Sequence, residues 1–293
     1  MSVKFLTRSR ELVHNKITNE INSNSLIEEA MRYSALSDSK VIRPALVMAS
    51  GELNNNLTKN SLITLATAVE LIHTYSLIHD DLPSMDDDDM RRGKESSHIK
   101  YGEANAILAG DALHDLAFEI ISSDNDMTDA AKIKAVNVLA RASGSKGMVL
   151  GQYLDIESEK SDMNIDLESM KKIHELKTGK LIQASIHMGQ IESSLDEERV
   201  NLLLKFGSKI GLAFQIFDDI LDETGQTSQL GKLIKSDIKN NKQTYTKIIG
   251  IEQSKKIASS LANESIDILN GLDVDNEIES LKELAKFMVD RNN

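Results

Sequence analysis

Apolar residues recur every three or four positions along most of this chain. In "SLITLATAVELIHTYSLIHDDL", Leu62, Leu65, Ala66, Val69, Ile72 and Leu77 follow helical intervals. The same spacing predicts helices over residues 104–121, 130–157, 167–191, 197–222, 252–270 and 276–290. Alternating β-branched runs bounded by turns, the mark of strands, are missing. Connections such as "SSDNDMT" and "DETGQTSQLG" are short and polar. Two prolines in 293 residues, against a usual share of about 5%, leave few of the residues that break helices. No linker, repeat or low-complexity stretch divides the chain, so residues 1–293 are predicted to form one all-α domain. That length buries a sizeable core.

Charge narrows the function. The net charge of −12 argues against nucleic acid, whose phosphates need a basic face. A phosphorylated small molecule stays open, provided cations mediate the contact. No uninterrupted run of eighteen apolar residues occurs, so no membrane span is expected. The start, "MSVKFLTRSRELVHNKI", lacks the apolar block and cleavage site of a signal peptide and reads as a first amphipathic helix. Cytoplasm is the expected location. The absence of cysteine excludes disulfides and thiolate metal sites.

The candidate chemistry is acidic. "SLIHDDLPSMDDDDMRRGK" puts six aspartates in ten positions and follows them with Arg91 and Arg92. A solvated loop is the ordinary reading of such a run, but Asp80 and Asp81 directly continue a helix that must be largely buried. A calcium loop needs glycine at its sixth position and glutamate at its twelfth; counted from Asp80, these are Met85 and Arg91. Magnesium fits better, because it binds through few carboxylates plus waters and phosphate oxygens. A second cluster, "AFQIFDDILDETG", sets Asp218, Asp219 and Asp222 in an apolar helix, with 218 and 222 one turn apart on a shared face. Burying such a pair costs free energy unless a cation compensates. Pro83 bends or ends the first helix, which lets Asp80 and Asp86 converge. Two such faces on opposed helices suit magnesium ions around a diphosphate.

"DDLPSMD" and "DDILD" resemble the two aspartate-rich motifs of short-chain trans-prenyl diphosphate synthases, and most nearly the bacterial farnesyl diphosphate synthases. "KVIRP", "GEANAILAGDAL", "HELKTGKLI", "GLAFQIFDDILDETG" and "LGK" follow in the family's order over nearly the whole chain. The resemblance implies a large helical bundle around a central cavity, and a homodimer. It implies condensation of isopentenyl diphosphate with dimethylallyl or geranyl diphosphate to give farnesyl diphosphate. Three magnesium ions, replaceable by manganese, would assist departure of the allylic diphosphate. Asp80, Asp81 and Asp86 match the first set of metal ligands, Asp218 and Asp222 the second. Arg91 would bind the allylic diphosphate and Arg92 that of isopentenyl diphosphate, so the basic pair belongs to the substrates rather than to the aspartates. Lys40, Arg43 and His73 match the isopentenyl diphosphate site. Lys177, Thr178 and Gln215 match groups facing the allylic diphosphate and developing cation, and Lys232 and Lys242 match lysines that close over it. Asp80, Asp86, Arg91, Lys177, Gln215 and Asp218 are the implied catalytic set.

Each has a structural reading beside this one. His73 suits a core histidine, Thr178 a back-bond within its helix, and Gln215 a buried partner; His79 is left structural. Tyr75, about one and a half turns before Asp80, stands where the family commonly puts an aromatic floor, with small Ser76 admitting a ten-carbon tail. One stretch departs from the pattern. "SDSKVIRP" has Asp38, Ser39 and Val41 where the family has two glycines and a second basic residue. A geranylgeranyl diphosphate synthase and a catalytically silent synthase subunit are the alternatives. A terpene cyclase is disfavoured by Asp222 and Gln226 at positions where its second motif has serine and glutamate. An HD-type phosphohydrolase would need His79 as a metal ligand. "GQTSQLGKL" has the wrong spacing for a nucleotide loop.

Overall fold

The computed structural model describes residues 2–53, 56–160, 165–224, 243–274 and 278–289. Numbered through these residues, the helices begin with α1 (Ser2–Glu20), α2 (Leu26–Ala35), α3 (Ile42–Gly51), α4 (Lys59–Asp80) and α5 (Ser97–Tyr101). They continue with α6 (Glu103–Ser122), α7 (Asp129–Ser143), α8 (Met148–Lys160), α9 (Leu167–His174), α10 (Lys180–Gly189) and α11 (Glu197–Thr224). The last are α12 (Tyr245–Ile249), α13 (Ile251–Asn270) and α14 (Glu279–Val289). The all-α expectation holds, with three departures from the predicted elements.

The helix expected over 130–157 is two, α7 and α8, parted at "SGSKG". A side chain at Gly147 would meet the Ala142 carbonyl at 2.0 Å, so the break depends on glycine there. The helix expected over 167–191 changes pitch at Glu175–Gly179, one π-helical turn between α9 and α10. Finally, β1 (Met90–Arg91) and β2 (Lys94–Glu95) pair antiparallel in a hairpin too short to show alternation. Its turn residues Arg92 and Gly93 have φ 54° and 76°, the left-handed pair that matches strand twist.

At the centre lies α4, packed by α1, α3, α6 and α10. Thr58 caps it, accepting from the Ser61 N–H. Leu65, Ala66, Val69, Leu71 and Ile72 are fully buried, each large aliphatic stabilising the fold by about 1.5–3 kcal/mol. Thr64, Thr67, Glu70 and Thr74 are buried too, so α4 is enclosed on every side. On α11, Phe206 and Ile210 cluster with Ile182 and Ile186 of α10, while Ile216 and Ile220 cluster with Tyr245 and Ala258.

Uninterrupted runs are a stricter criterion than mean hydropathy. By length and composition α4 and α11 are each apolar enough to cross a membrane. Most of the apolar stretch of α4 is buried inside the protein, and a little under half of that of α11. A core helix passes the same test, and α4 is one.

Candidate active site

Both acidic clusters line one cavity of about 760 Å³. The first is shaped by how α4 ends. After Asp80 the chain turns through Leu82 and Pro83, and the Asp86 N–H donates back to the Asp80 carbonyl at 2.9 Å. The Asp88 N–H does the same to Asp81 at 3.2 Å. The acid run thus folds over its own helix end, as Pro83 led us to expect, and Asp80 and Asp86 both face the cavity. Burial pushes the Asp80 carboxyl up to about 6; Lys177 opposes the shift and Asp86 adds to it.

Asp81 points elsewhere. It is 2% exposed and is absent from the cavity lining. Arg91 grips it from the hairpin: Nε donates to both carboxylate oxygens at 2.9 and 3.1 Å, Nη2 makes a further contact to Oδ1, and Nη2 also donates to Asp88 at 3.3 Å. Burial works against the Arg91 charge, but these bonds and the surrounding carboxylates hold its pKa above the ordinary value. The hairpin accounts for both residues. Asp81 serves the hairpin rather than the cavity, and Arg91, though on the cavity wall, belongs to the aspartates in this state. Adjacent helical residues point about 100° apart, so a pair of aspartates at a helix end divides its duties.

The second cluster divides likewise. Asp218 and Asp222 line the cavity, and Gln215 Nε2 donates to Asp218 Oδ2 at 3.2 Å. Asp219 also borders it but is engaged from two sides. His174 Nε2 lies 3.0 Å from its Oδ2, and the Tyr245 N–H donates to the same oxygen at 2.8 Å. The His174 and Tyr245 rings stack at 5.4 Å. Asp219 thereby anchors the backbone at Tyr245, next to Gln243 and Thr244, which also line the cavity.

A cationic wall faces these acids, formed by Lys40, Arg43, Arg92 and His73. Arg43 Nη1 donates to His73 Nε2 at 3.2 Å, which puts the imidazole proton on Nδ1. Burial, reinforced by Arg43, Arg92 and Arg91, holds the His73 pKa well below its usual value, so the ring is neutral. Burial also lowers Arg43 to about 10 despite the field of Glu70. Glu70, 2% exposed on α4, accepts from Ser39 at 3.2 Å. It is the counter-charge of this wall, and the sequence reading passed over it. Arg92 donates to Ser37 at 2.9 Å.

Lys177 enters from the π turn. A side chain at Gly151 would lie 2.2 Å from the Lys177 backbone nitrogen, so glycine lets α8 approach that turn. Lys177 Nζ donates to Asp155 Oδ2 of α8 at 2.7 Å. Asp155, also on the cavity wall, was likewise passed over, its only signal being an acid in the apolar helix after "GQ". π turns recur at functional sites because they turn side chains out of helical register. Thr178 is buried and off the cavity lining.

The chain-length pair sits apart as well. Tyr75 is 8% exposed and packs edge-on against His79 at 5.7 Å and His114 of α6 at 5.0 Å. Ser76 donates to the His73 carbonyl at 2.9 Å. Neither borders the described cavity. His79 also faces α6, with Nε2 3.1 Å from the Ile107 carbonyl, and Gly110 makes room for its ring. Lys232 and Lys242 lie outside the described residues.

Among the described residues no three His, Asp or Glu side chains converge closely enough to hold a metal ion alone. The donor set still fits magnesium, which takes oxygen ligands and completes its shell from waters and phosphate. The raised Asp80 pKa points the same way, since burial and Asp86 together outweigh the charges of Lys177 and Arg91.

Comparison with known proteins agrees with this geometry. The family model described as polyprenyl synthetase matches residues 24–283. A farnesyl diphosphate synthase of Escherichia coli (strain K12) is 44% identical over 92% of this chain and 90% of its own. The large subunit 1 of a heterodimeric chloroplastic geranylgeranyl pyrophosphate synthase from Arabidopsis thaliana is also 44% identical, over 91% of this chain and 72% of its own. A geranyltransferase crystal structure from Helicobacter pylori, complexed with magnesium and isoprenyl diphosphate, superposes with a TM-score of 0.86 at 32% identity, covering 98% of this chain and 97% of that one. The chain belongs to the polyprenyl synthetase family, whose members of this kind are all-α trans-prenyltransferases.

Proposed function

We propose that the chain, as one domain over residues 1–293, condenses isopentenyl diphosphate with dimethylallyl or geranyl diphosphate and that its main product is farnesyl diphosphate. One observation carries this reading. Asp80 and Asp86 share a single cavity with Asp218 and Asp222, beside a wall of Lys40, Arg43 and Arg92. Such a site binds two anionic substrates at once, one through cations that the acids hold and one through the protein's own positive charge.

Asp80, Asp86, Asp218 and Asp222 would hold three magnesium ions, or manganese in their place. When bound, these neutralise charge on the departing allylic diphosphate, as a Lewis acid and template. Lys177 adds a positive charge beside that leaving group while Asp155 keeps its ammonium in place. Gln215, held by Asp218, orients the same end. Lys40, Arg43, His73 and Arg92 bind the second diphosphate, with neutral His73 fixing the Arg43 fork. Its double bond attacks the allylic cation, and the proton lost afterwards goes to the released diphosphate. Arg91 stays on Asp81 until the allylic diphosphate competes for it. Thr178, Lys232 and Lys242 complete the allylic side.

A homodimer agrees with the exposed apolar Ile107, Leu108, Val149 and Tyr153 on α6 and α8. A cytoplasmic location agrees with substrates of this polarity. Incubating the protein with magnesium, isopentenyl diphosphate and geranyl diphosphate tests the reading; a fifteen-carbon product that vanishes on chelation is expected, and turnover that survives chelation refutes it.

Geranylgeranyl diphosphate is the second reading, favoured by the position of Tyr75 off the cavity wall. The length of the parent's product, fifteen or twenty carbons, distinguishes the two. If Tyr75 is the floor, Tyr75→Ala lengthens products to twenty carbons or more, whereas Ser76→Phe shortens them. Products unchanged in both variants would place the length determinant elsewhere.

A further inference from the structure

Arg10 stands on α1, in a stretch that no motif singles out, yet it lines the cavity beside Lys40, Arg43 and Arg92. Its Nη1 donates to Asp38 Oδ1 at 2.8 Å, and the Asp38 side chain is 82% exposed. Water screens an ion pair so open, and it binds weakly. The Nε of Arg10 is different. It is buried and has no hydrogen-bond partner among the described residues. A buried guanidinium N–H without an acceptor is costly, and its geometry asks for an oxygen.

The loop that carries Asp38 also carries Lys40 to this wall. Lys40 is followed by Val41, which is buried and left-handed at φ 43°, a conformation that β-branched residues rarely adopt. An uncharged residue thus follows Lys40, which is the cation that this loop sets on the wall with Arg43 and Arg92. Arg10 reaches the same wall from another helix. Asp38, Lys40, Arg43, Glu70 and Arg92 line the cavity with it, and His14, whose pKa is lowered by burial, feels the Arg10 charge. Of these, Asp38 is the one bonded to Arg10.

We infer that Arg10 is a binding residue for the diphosphate of isopentenyl diphosphate. Asp38 holds the guanidinium on the wall, and the incoming phosphate oxygens displace the carboxylate and take the Nη1–H that it held, the guanidinium shifting so that its enclosed Nε–H gains an acceptor too. A planar fork suits phosphate oxygens in a way that an ammonium does not. The inference rests on the proposed function, so the test separates the two. In the full-length protein Arg10→Gln should raise KM for isopentenyl diphosphate about tenfold, the worth of one charge-assisted hydrogen bond. KM for geranyl diphosphate, kcat and the melting temperature should hold. Arg10→Lys, which keeps the charge but not the fork, should fall between. An unchanged KM for isopentenyl diphosphate, or equal loss toward both substrates, overturns the inference. Should the parent protein make no prenyl product, the proposed function fails by itself. Titration with inorganic pyrophosphate then decides Arg10: weaker binding in Arg10→Gln supports it and equal binding overturns it.

Discussion

The two acidic clusters do the same thing by different means. In the first, Asp80 faces the cavity while Asp81 turns to Arg91. In the second, Asp218 accepts from Gln215 on the cavity wall, while Asp219 is tied to His174 and Tyr245. Each adjacent pair therefore leaves one carboxylate on the cavity wall and ties the other into the fold. The clusters differ in what supplies the next ligand. On α11 helical spacing suffices, because Asp222 is one turn beyond Asp218. At α4 the helix has stopped, and a backbone turn brings Asp86 back over Asp80. The lesson is that the motif encodes a division of labour, and the backbone determines which aspartate gets which part.

Removing a cavity-facing member tests this most severely. Asp80→Ala and Asp218→Ala should each lower kcat by at least about a hundredfold, since metal-borne stabilisation is worth several kcal/mol. The fold should persist. Rates near normal in either variant would take that residue out of the site, and with it the equivalence of the clusters.

The fold-facing members should behave in the opposite way. Asp81→Asn leaves the largely buried Arg91 guanidinium without its principal counter-charge, and Asp219→Asn weakens the tie that holds Tyr245 and His174. Losing one partner of a buried pair costs about 3–5 kcal/mol. The amide keeps one acceptor, so about 2 kcal/mol is expected, read by urea denaturation. Activity at low temperature should fall far less than in the alanine variants. Equal losses of rate in Asp80 and Asp81 variants would refute the division.

Much of this was visible in the sequence, for reasons particular to each residue. The cavity acids interrupt apolar helices, and Pro83 announces the turn that gathers Asp80 and Asp86. The side-chain direction of Asp81 was not visible, because it depends on a two-residue hairpin that carries no periodic pattern. Lys177 was legible, but the π turn beneath it was not, since α and π turns draw on the same residues. Glu70, Asp155 and Arg10 were missed because none belongs to a motif: Glu70 is a lone charge in an apolar helix, and Asp155 and Arg10 sit among the ordinary surface charges of theirs. Their meaning comes from partners 31, 22 and 28 positions away. The helix break at 144–147 was the plainest signal passed over, two glycines three apart in "SGSKG".

The smallest effect is the most discriminating, because it reverses sign between neighbours. Asp80 has a folded pKa of about 6 against an ordinary 3.8, with burial the main cause. A group whose pKa is raised on folding contributes stability that is complete below its unfolded pKa and lost as pH rises through the folded one. In metal-free protein Asp80 should therefore weaken the fold between about pH 4 and pH 6 and remain a burden above that range. The full shift corresponds to about 3 kcal/mol, but the side chain is only half-buried by surface area, so about 1–2 kcal/mol is the realistic size. Asp80→Asn removes the charge and keeps the shape. In chelator at pH 8 it should be more stable than the parent by that amount, and the gain should shrink at pH 5. Adding magnesium should stabilise the parent and leave the variant almost unmoved. Asp81→Asn, one residue along, should be destabilised under all of these conditions. If Asp80→Asn is instead the less stable protein at pH 8 in chelator, Asp80 is compensated from within the fold, and its place among the ligand-facing acids loses its electrostatic support.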